Sequence, residues 1–339
     1  MAYDKMSFLS GVAAGRNMES WPAFEGEETP GIFSYIITID GSSRGYDAPS
    51  WVVGFLTGGQ IFWGDGETDT IAATSTIQRY SHRYQSKGIF TVTIIGASEF
   101  RRAPGAWLTK VITPFPPAVV NVQNMFYQCY YLETIPDGLL MNAEGDLYNY
   151  ESFMSWCLSM QAIPEDLFAY HDQIYINDAF SNAGQWYYSL TGEMIEMPAG
   201  LLRDCASLSD ASRAFADCYF DEIPVGFLDD CVALRYATSM FANNHGTVIP
   251  EGLFDYCVNL RYASWIFFNS TRIEAIPEDL FDNCPDIVEF ESAFERCQSV
   301  IGRVPELWIS HPNANGTECF ADMTASQISN YADIPSEWK

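Results

Sequence analysis

Apolar and polar positions follow two different patterns along this chain. In residues 31–98 they alternate: Phe33-Ser-Tyr-Ile-Ile-Thr-Ile39 and Phe90-Thr-Val-Thr-Ile-Ile95 place β-branched and aromatic residues at a period of two, which predicts strands. Between them Trp63-Gly64-Asp65-Gly66-Glu67 supplies a Gly-Asp-Gly hairpin signal. Further on, alternation gives way to a recurring phrase, Ile-Pro-x-x-Leu-Phe-x-x-Cys and its variants. Its prolines are Pro136, Pro164, Pro198, Pro224, Pro250, Pro277, Pro305 and Pro335, in steps of 28, 34, 26, 26, 27, 28 and 30 residues. A fixed period in this range predicts a repeat array in which each unit buries its apolar face against its neighbours.

The unit from Ile249 to Ser270 illustrates the expectation. Pro250 suits the first position of a short helix, where its missing N–H costs nothing. Acids follow the prolines repeatedly (Glu165, Asp166, Glu251, Glu278, Asp279), where a helix dipole favours negative charge. Leu253, Phe254, Cys257, Leu260 and Ala263 are expected to face inward, and Ile266 and Phe267 to close a second short helix. The predicted class is an α+β repeat solenoid of about 26–28 residues per coil, preceded by a small all-β sandwich. The expected division is an N-terminal attachment tail and linker over 1–30, the sandwich over 31–98 and the repeats over 99–339.

Two sets of residues resemble known families. Trp63-Gly64-Asp65-Gly66, then His82-Arg-Tyr84, then Gly88-Ile-Phe-Thr-Val92 resembles the signature of PKD-type β-sandwiches, with Phe90 where Tyr is usual. Met125-Phe-Tyr-Gln-Cys-Tyr-Tyr-Leu-Glu-Thr-Ile-Pro136 is similar to the BspA-like leucine-rich repeats of bacterial surface proteins and their phage-encoded relatives. That family often carries such repeats directly after a PKD-like module, so domain order matches as well. The resemblance implies a recognition or adhesion role.

Composition narrows the function classes. Net charge is −27, and residues 104–339 hold 9 Lys+Arg against 33 Asp+Glu, so −24 of it falls on the repeats. So acidic a surface repels phosphate backbones and anionic headgroups, which argues against nucleic-acid and membrane-surface partners. No run reaches the length of a membrane span, and Met6–Gly15 has small residues and no cleavage site in place of a signal peptide's apolar centre. Eight of the nine cysteines fall into two slots of the repeat: Cys205, Cys231, Cys257 and Cys284 in one, and Cys129, Cys157, Cys218 and Cys297 in the other. Ala143, Ala183, Asn244 and Ser270 substitute in these slots, so they read as sites for a small buried side chain, with the thiols reduced. Cysteine and histidine spacing offers no zinc site, and no nucleophile elbow, phosphate loop or His-Glu-x-x-His motif occurs; neither a cofactor nor catalysis is expected.

Side chains at equivalent outward positions change from unit to unit. One place after the core Leu or Ile stand Tyr148, Tyr175, Ser209, Arg235, Arg261 and Val288; two places after it stand Asn149, Ile176, Asp210, Tyr236, Tyr262 and Glu289. Tyr, Trp and Arg dominate interface energies, which marks Tyr148, Tyr175, Arg235, Tyr236, Arg261, Tyr262 and Trp265 as ligand-binding candidates. The 34-residue unit adds an insertion, Gly184–Glu193, whose Trp186, Tyr187 and Tyr188 either bind a partner or fold back over the repeat. The leading expectation is a virion-surface receptor-binding protein of a phage, tied to the particle by residues 1–30 and reading a host-surface protein or glycan with its repeats. The lack of an export signal favours it over a bacterial cell-surface adhesin. A polysaccharide-cleaving enzyme is the rival from another class, since 44 carboxylates make a close acid pair inevitable.

Overall fold

The computed structural model describes residues 31–39, 50–117, 119, 121–143, 149–169 and 174–339; the expected attachment segment 1–30 and Tyr148 lie outside them. Alternation in the first part builds eight strands. They are β1 (Ile32–Ile39), β2 (Ser50–Gly54), β3 (Gly59–Phe62), β4 (Thr68–Ile71), β5 (Gln78–Ser81), β6 (Gly88–Ile95), β7 (Glu99–Arg102) and β8 (Leu108–Val111). All pair antiparallel, in one sheet of order β4-β3-β6-β1-β8 and another of order β5-β2-β7. β1 turns Phe33, Tyr35, Ile37 and Ile39 inward. Phe33 meets Trp51 of β2 edge-on at 5.2 Å and Phe100 of β7 at 5.1 Å, so aromatic side chains close the space between the sheets.

The β3–β4 hairpin is pinned by its own polar groups. Trp63 N–H donates to Glu67 O at 3.1 Å, and Asp65 Oδ1 accepts the Glu67 N–H at 3.1 Å. His82 stacks on Trp63 at 5.0 Å and bonds Asp65 at 2.7 Å, while the buried Tyr84 hydroxyl donates to Trp63 O at 2.8 Å. These groups tie the hairpin to the chain leading into β6.

The expected α+β repeat solenoid is overturned. Regular secondary structure among the described residues is the two antiparallel sheets, two short α-helices, α1 (Gln185–Thr191), in the insertion, and α2 (Leu307–Ser310), and three single-turn 3-10 helices at Gly105–Trp107, Tyr331–Asp333 and Ser336–Trp338. Pro164, Pro198, Pro224, Pro250 and Pro277 each accept the first bond of a turn. Leu253 N–H donates to Pro250 O, Asp255 to Gly252 O and Cys257 to Phe254 O, each closing an i→i+3 ring where a helix would need i→i+4. At the Pro250 turn, and in the segments between the proline turns, the physical reason is backbone handedness. Gly252 has φ 72°, and pairs of non-glycine residues four apart (Ser152 and Trp156, Asp178 and Asn182, Ser239 and Asn243, Trp265 and Asn269) have φ between 53° and 64°. A left-handed residue every four positions stops any helix after one turn. The acids after the prolines sit at or in these turns and meet no helix dipole.

These turns stack on one another through the main chain. Ala237, Ser239, Phe241 and Asn243 donate their N–H groups to Tyr262, Ser264, Ile266 and Phe268 of the next unit, at 2.7–2.9 Å. The same four-bond pattern recurs one step on, from Ala263, Trp265, Phe267 and Asn269 to Glu289, Glu291, Ala293 and Glu295. Parallel bridges Asp210–Tyr236, Tyr236–Tyr262, Tyr262–Glu289 and Glu289–Asn315 mark the same register. Inside the stack, Phe180, Phe215, Phe241, Phe267, Phe294 and Phe320 lie ring on ring at 5.5–5.8 Å. Phe33, Phe115 and Phe126 carry the aromatic contact from the sheets into the repeats, at 4.6 and 5.9 Å, and β8 bridges to Thr134.

All nine cysteines are free thiols and buried. Several donate to main-chain carbonyls of the preceding unit: Cys218 Sγ to Phe180 O at 2.8 Å, Cys297 Sγ to Phe267 O at 3.2 Å and Cys157 Sγ to Phe126 O at 3.4 Å. Ser270 does the same with its hydroxyl, to Phe241 O at 3.1 Å. The slot thus suits a small side chain, and a hydrogen to donate adds to its fit. Burial pushes the Cys129, Cys205, Cys284 and Cys297 thiols up to about 12 from an ordinary 9.0.

Phe241→Ala is expected to cost about 3–5 kcal/mol, the range of large core truncations, and the exposed Tyr256→Ala no more than about 0.5 kcal/mol. Urea denaturation of the two variants checks this; equal losses would mean the stack is not the core. A second expectation concerns pH. A thiol whose folded pKa is raised contributes stability in full below its unfolded pKa and loses it as pH rises towards the folded value. The melting temperature should therefore fall between about pH 9 and 12. Cys→Ala substitution at Cys205 and Cys284 should flatten that decline.

Candidate functional site

Main-chain register decides which outward positions share a row. The acceptor of the first bond in each step is Tyr175, Asp210, Tyr236, Tyr262, Glu289 or Asn315, in chain order. Tyr175 therefore stands in the row of Tyr236 and Tyr262, one place from where its neighbouring core residue suggested. Ile176, expected outward, is buried. Asn315 belongs to the row too and is a residue that the apolar pattern did not point to; Asn149 precedes it as the bridge partner of Tyr175.

The row carries two kinds of contact. At Asn149, Asp210 and Asn315 the side-chain oxygen accepts the N–H two residues on, at 2.9–3.2 Å. Where Tyr replaces Asx, aromatic stacking takes over: the Tyr236 and Tyr262 rings lie 4.8 Å apart and 3° from parallel. Tyr236 remains 36% exposed and Tyr175 47%. Beside this pair run Arg235 and Arg261, both exposed. The Arg235 guanidinium sits 5.6 Å from the centroid of the Tyr236 ring, within cation–π range. Ser209, Ala233, Arg235, Asn259, Arg261 and Asp286 line an open groove along this edge. Trp265, three residues past Tyr262, is 37% exposed with φ 54°.

The insertion forms a separate group. Its helix α1 is bounded by Gly184 and Gly192, both left-handed, and the Tyr187 N–H donates to Leu158 O at 3.3 Å. Tyr187 is half-buried, packs against the core and donates its hydroxyl to Glu193 at 2.7 Å. Tyr188 lies 5.1 Å from the Tyr219 ring, which stacks on His245 at 4.0 Å. The two tyrosines thus fold back onto the repeats; Trp186 lies in the same helix. Tyr219 and His245 were missed in the sequence, although their 26-residue separation is one repeat step.

Of the sequence candidates, Arg235, Tyr236, Arg261 and Tyr262 come together. Tyr175 shares their row but stands a unit beyond Asp210, and Tyr187 and Tyr188 belong to the α1 group. A second open recess, lined by Glu278, Asp282, Arg303, Glu306, Ile309 and Ser310, is already tied internally: Arg303 bonds Glu278 at 3.0 Å and Glu306 at 2.7 Å. Among the described residues no group of three or more His, Cys, Asp or Glu is placed to hold a metal ion, and no helix is long and apolar enough to cross a membrane.

No family model and no curated protein matches the chain. Among solved structures, the plant peptide hormone receptor RGFR1 in complex with RGF2 superposes over 60% of this chain and 37% of its own, at 15% identity and a TM-score of 0.28. The TLR13–ssRNA13 complex does so over 56% and 36%, at 9% identity and a TM-score of 0.17. The chain spans little more than a third of either, and likenesses this low carry no argument about fold or ligand.

Burial, and then the charge of Arg272, hold His245 below its usual 6.5. A histidine with a depressed folded pKa contributes stability above its unfolded pKa and loses it as pH falls. Packing of α1 onto Tyr219 and His245 is therefore expected to loosen below pH 6.5. Limited proteolysis within 185–193 should speed up there, and His245→Gln should remove that pH dependence.

Proposed function

We propose that this protein is a non-enzymatic recognition protein whose repeat surface reads a host-surface ligand, and that it serves as a receptor-binding or attachment component of a phage virion. The observation that carries the reading is the row through Asp210, Tyr236, Tyr262, Glu289 and Asn315. Its main chain is held in one register while its side chains differ at every unit but one. A rigid frame with changing Tyr, Arg and Asn side chains is the arrangement by which binding surfaces gain affinity at low ordering cost. Residues 1–30 are assigned to attachment, the two sheets to a spacer and the repeats to recognition; the resemblance to PKD-like and BspA-like modules belongs to the same proposal.

Binding of the labelled full chain to a panel of intact bacterial cells tests it, with the Tyr236→Ala/Tyr262→Ala double variant alongside. Wild type is expected to bind one host class, and the variant at least about tenfold more weakly, the loss of one strong anchor, with a melting temperature within a few degrees. Mass spectrometry of purified particles from the host should find the chain in the virion. Equal binding by both proteins, or turnover of a surface polysaccharide, would overturn the recognition reading.

A further inference from the structure

We infer that Arg235 and Arg261 form a site for one carboxylate, carried by a sugar-acid residue of a saccharide ligand; this rests on the recognition reading above. Arg261 N–H donates to Arg235 O at 3.0 Å, so the two residues are neighbours in adjacent units, and both line the same groove. Four of the other five arginines of the repeats find carboxylates: Arg203 with Glu165 at 3.1 Å, Arg213 with Asp178 at 2.8 Å, Arg296 with Asp322 at 3.6 Å and Arg303 with Glu278 at 3.0 Å; the fifth, Arg272, lies against Met194 Sδ instead. Among the described residues no carboxylate lies within ion-pair distance of Arg235 or Arg261. In a chain with 44 Asp+Glu against 17 Lys+Arg, these two are set apart by lining one groove from adjacent units, both without a carboxylate partner. An anion shared between them would relieve their mutual repulsion.

Geometry selects the kind of anion. A guanidinium presents a planar fork that matches a carboxylate in bidentate fashion. Arg235 is already positioned over Tyr236, and Tyr236 is fixed by Tyr262, so little side-chain freedom remains to be lost on binding. Asp210 and Glu289 bracket the tyrosine pair in its own row, and Asp286 lines the groove. That surrounding charge repels a polyanion and tolerates a single, localised acid group.

The main chain argues against an extended peptide. Arg261 and Tyr262 both donate to Arg235 O, and Val288 donates to Arg261 O, so no free strand edge is offered at the groove. What remains at the groove are the guanidinium groups, the Ser209 hydroxyl, the Asp286 carboxylate and the carboxamide oxygen of Asn259, whose Nδ2 is already committed to Val232 O at 2.8 Å. Such a mixture of donors and acceptors matches the hydroxyls of a sugar ring. The exposed Val232 and Val258, next in sequence to groove residues, offer its apolar face a contact.

Saturation-transfer NMR and calorimetry with a glucuronic-acid-terminated oligosaccharide and with N-acetylneuraminic acid test the site, against the glucose-terminated oligosaccharide as neutral match. One of the two acids is expected to bind and the neutral match to bind at least about tenfold more weakly, the effect of a charge-assisted hydrogen bond. Arg235→Gln and Arg261→Gln should each weaken binding about tenfold, while Arg203→Gln, elsewhere on the repeats, should leave it unchanged. Equal binding of the neutral sugar, unchanged binding by both arginine variants, or preference for a peptide C-terminus or a sulfated polyanion would overturn the inference. If no acidic saccharide binds yet Tyr236→Ala/Tyr262→Ala still abolishes cell binding, the ligand class is wrong and recognition stands. If cell binding is also unaffected, both readings fall.

Discussion

Everything past the sheets depends on the hydrogen bonds that step from one unit to the next at alternate positions. A backbone of consecutive i→i+3 turns satisfies only some of its own N–H and C=O groups, and the rest must be paired or solvated. Here the left-handed residues aim the remaining N–H groups along the stack, so that Ser239 reaches Ser264, and Asn243 reaches Phe268. A non-glycine residue in that conformation costs roughly 1 kcal/mol, and each such cost is offset by an inter-unit bond and by the phenylalanine that it places inside. The strain and the stacking are two sides of one solution, since relieving the handedness at Ser239 would withdraw its bond to the next unit.

Register follows from this ladder, and register decides what the surface displays. Tyr236 and Tyr262 stack at 4.8 Å because their carbonyls are consecutive acceptors in it. The arginines precede them by one residue and are joined through the main chain, Arg261 N–H to Arg235 O at 3.0 Å. A slip of one position would bury the tyrosines and expose Ala237 and Ala263, as a one-residue slip does in any sheet. The groove is therefore a by-product of main-chain geometry, and its chemistry can change without disturbing the frame.

Much of this was legible in the pattern of residues. The strands of the sheets announced themselves through alternation, and the cysteines through their 26- and 27-residue spacing. The turns did so only in part: Asn182, Asn243 and Asn269 are residue types that tolerate positive φ, but Ser152, Trp156, Arg213 and Trp265 carry no such mark. Reading Pro250 as a helix start was sound by local preference and was overridden by Gly252 two residues later. Tyr175 was placed one position out for a related reason. Aligning units by the core residue, Ile174 in one and Leu234 in another, ignores that Ile174 lies one residue before the row and Leu234 two. At the candidate site, residue types pointed to Arg235, Tyr236, Arg261 and Tyr262, but only the structure separates them from the α1 tyrosines.

Charge gives that separation its meaning. An excess of carboxylates keeps the molecule away from anionic surfaces at long range, with screening limiting the effect to about 8 Å in physiological salt. Within that distance individual groups decide, and at the groove two arginines of adjacent units face outward without an ion-pair partner among the described residues. The α1 cluster differs in kind: its rings cover one another, Tyr187 is satisfied by Glu193, and burial disfavours the charged form of His245. Contacts already satisfied stabilise the fold and leave little for a partner, whereas the arginine pair gains a counter-charge only from outside the chain. That asymmetry, more than exposure or aromatic content, distinguishes a surface that binds from one that packs.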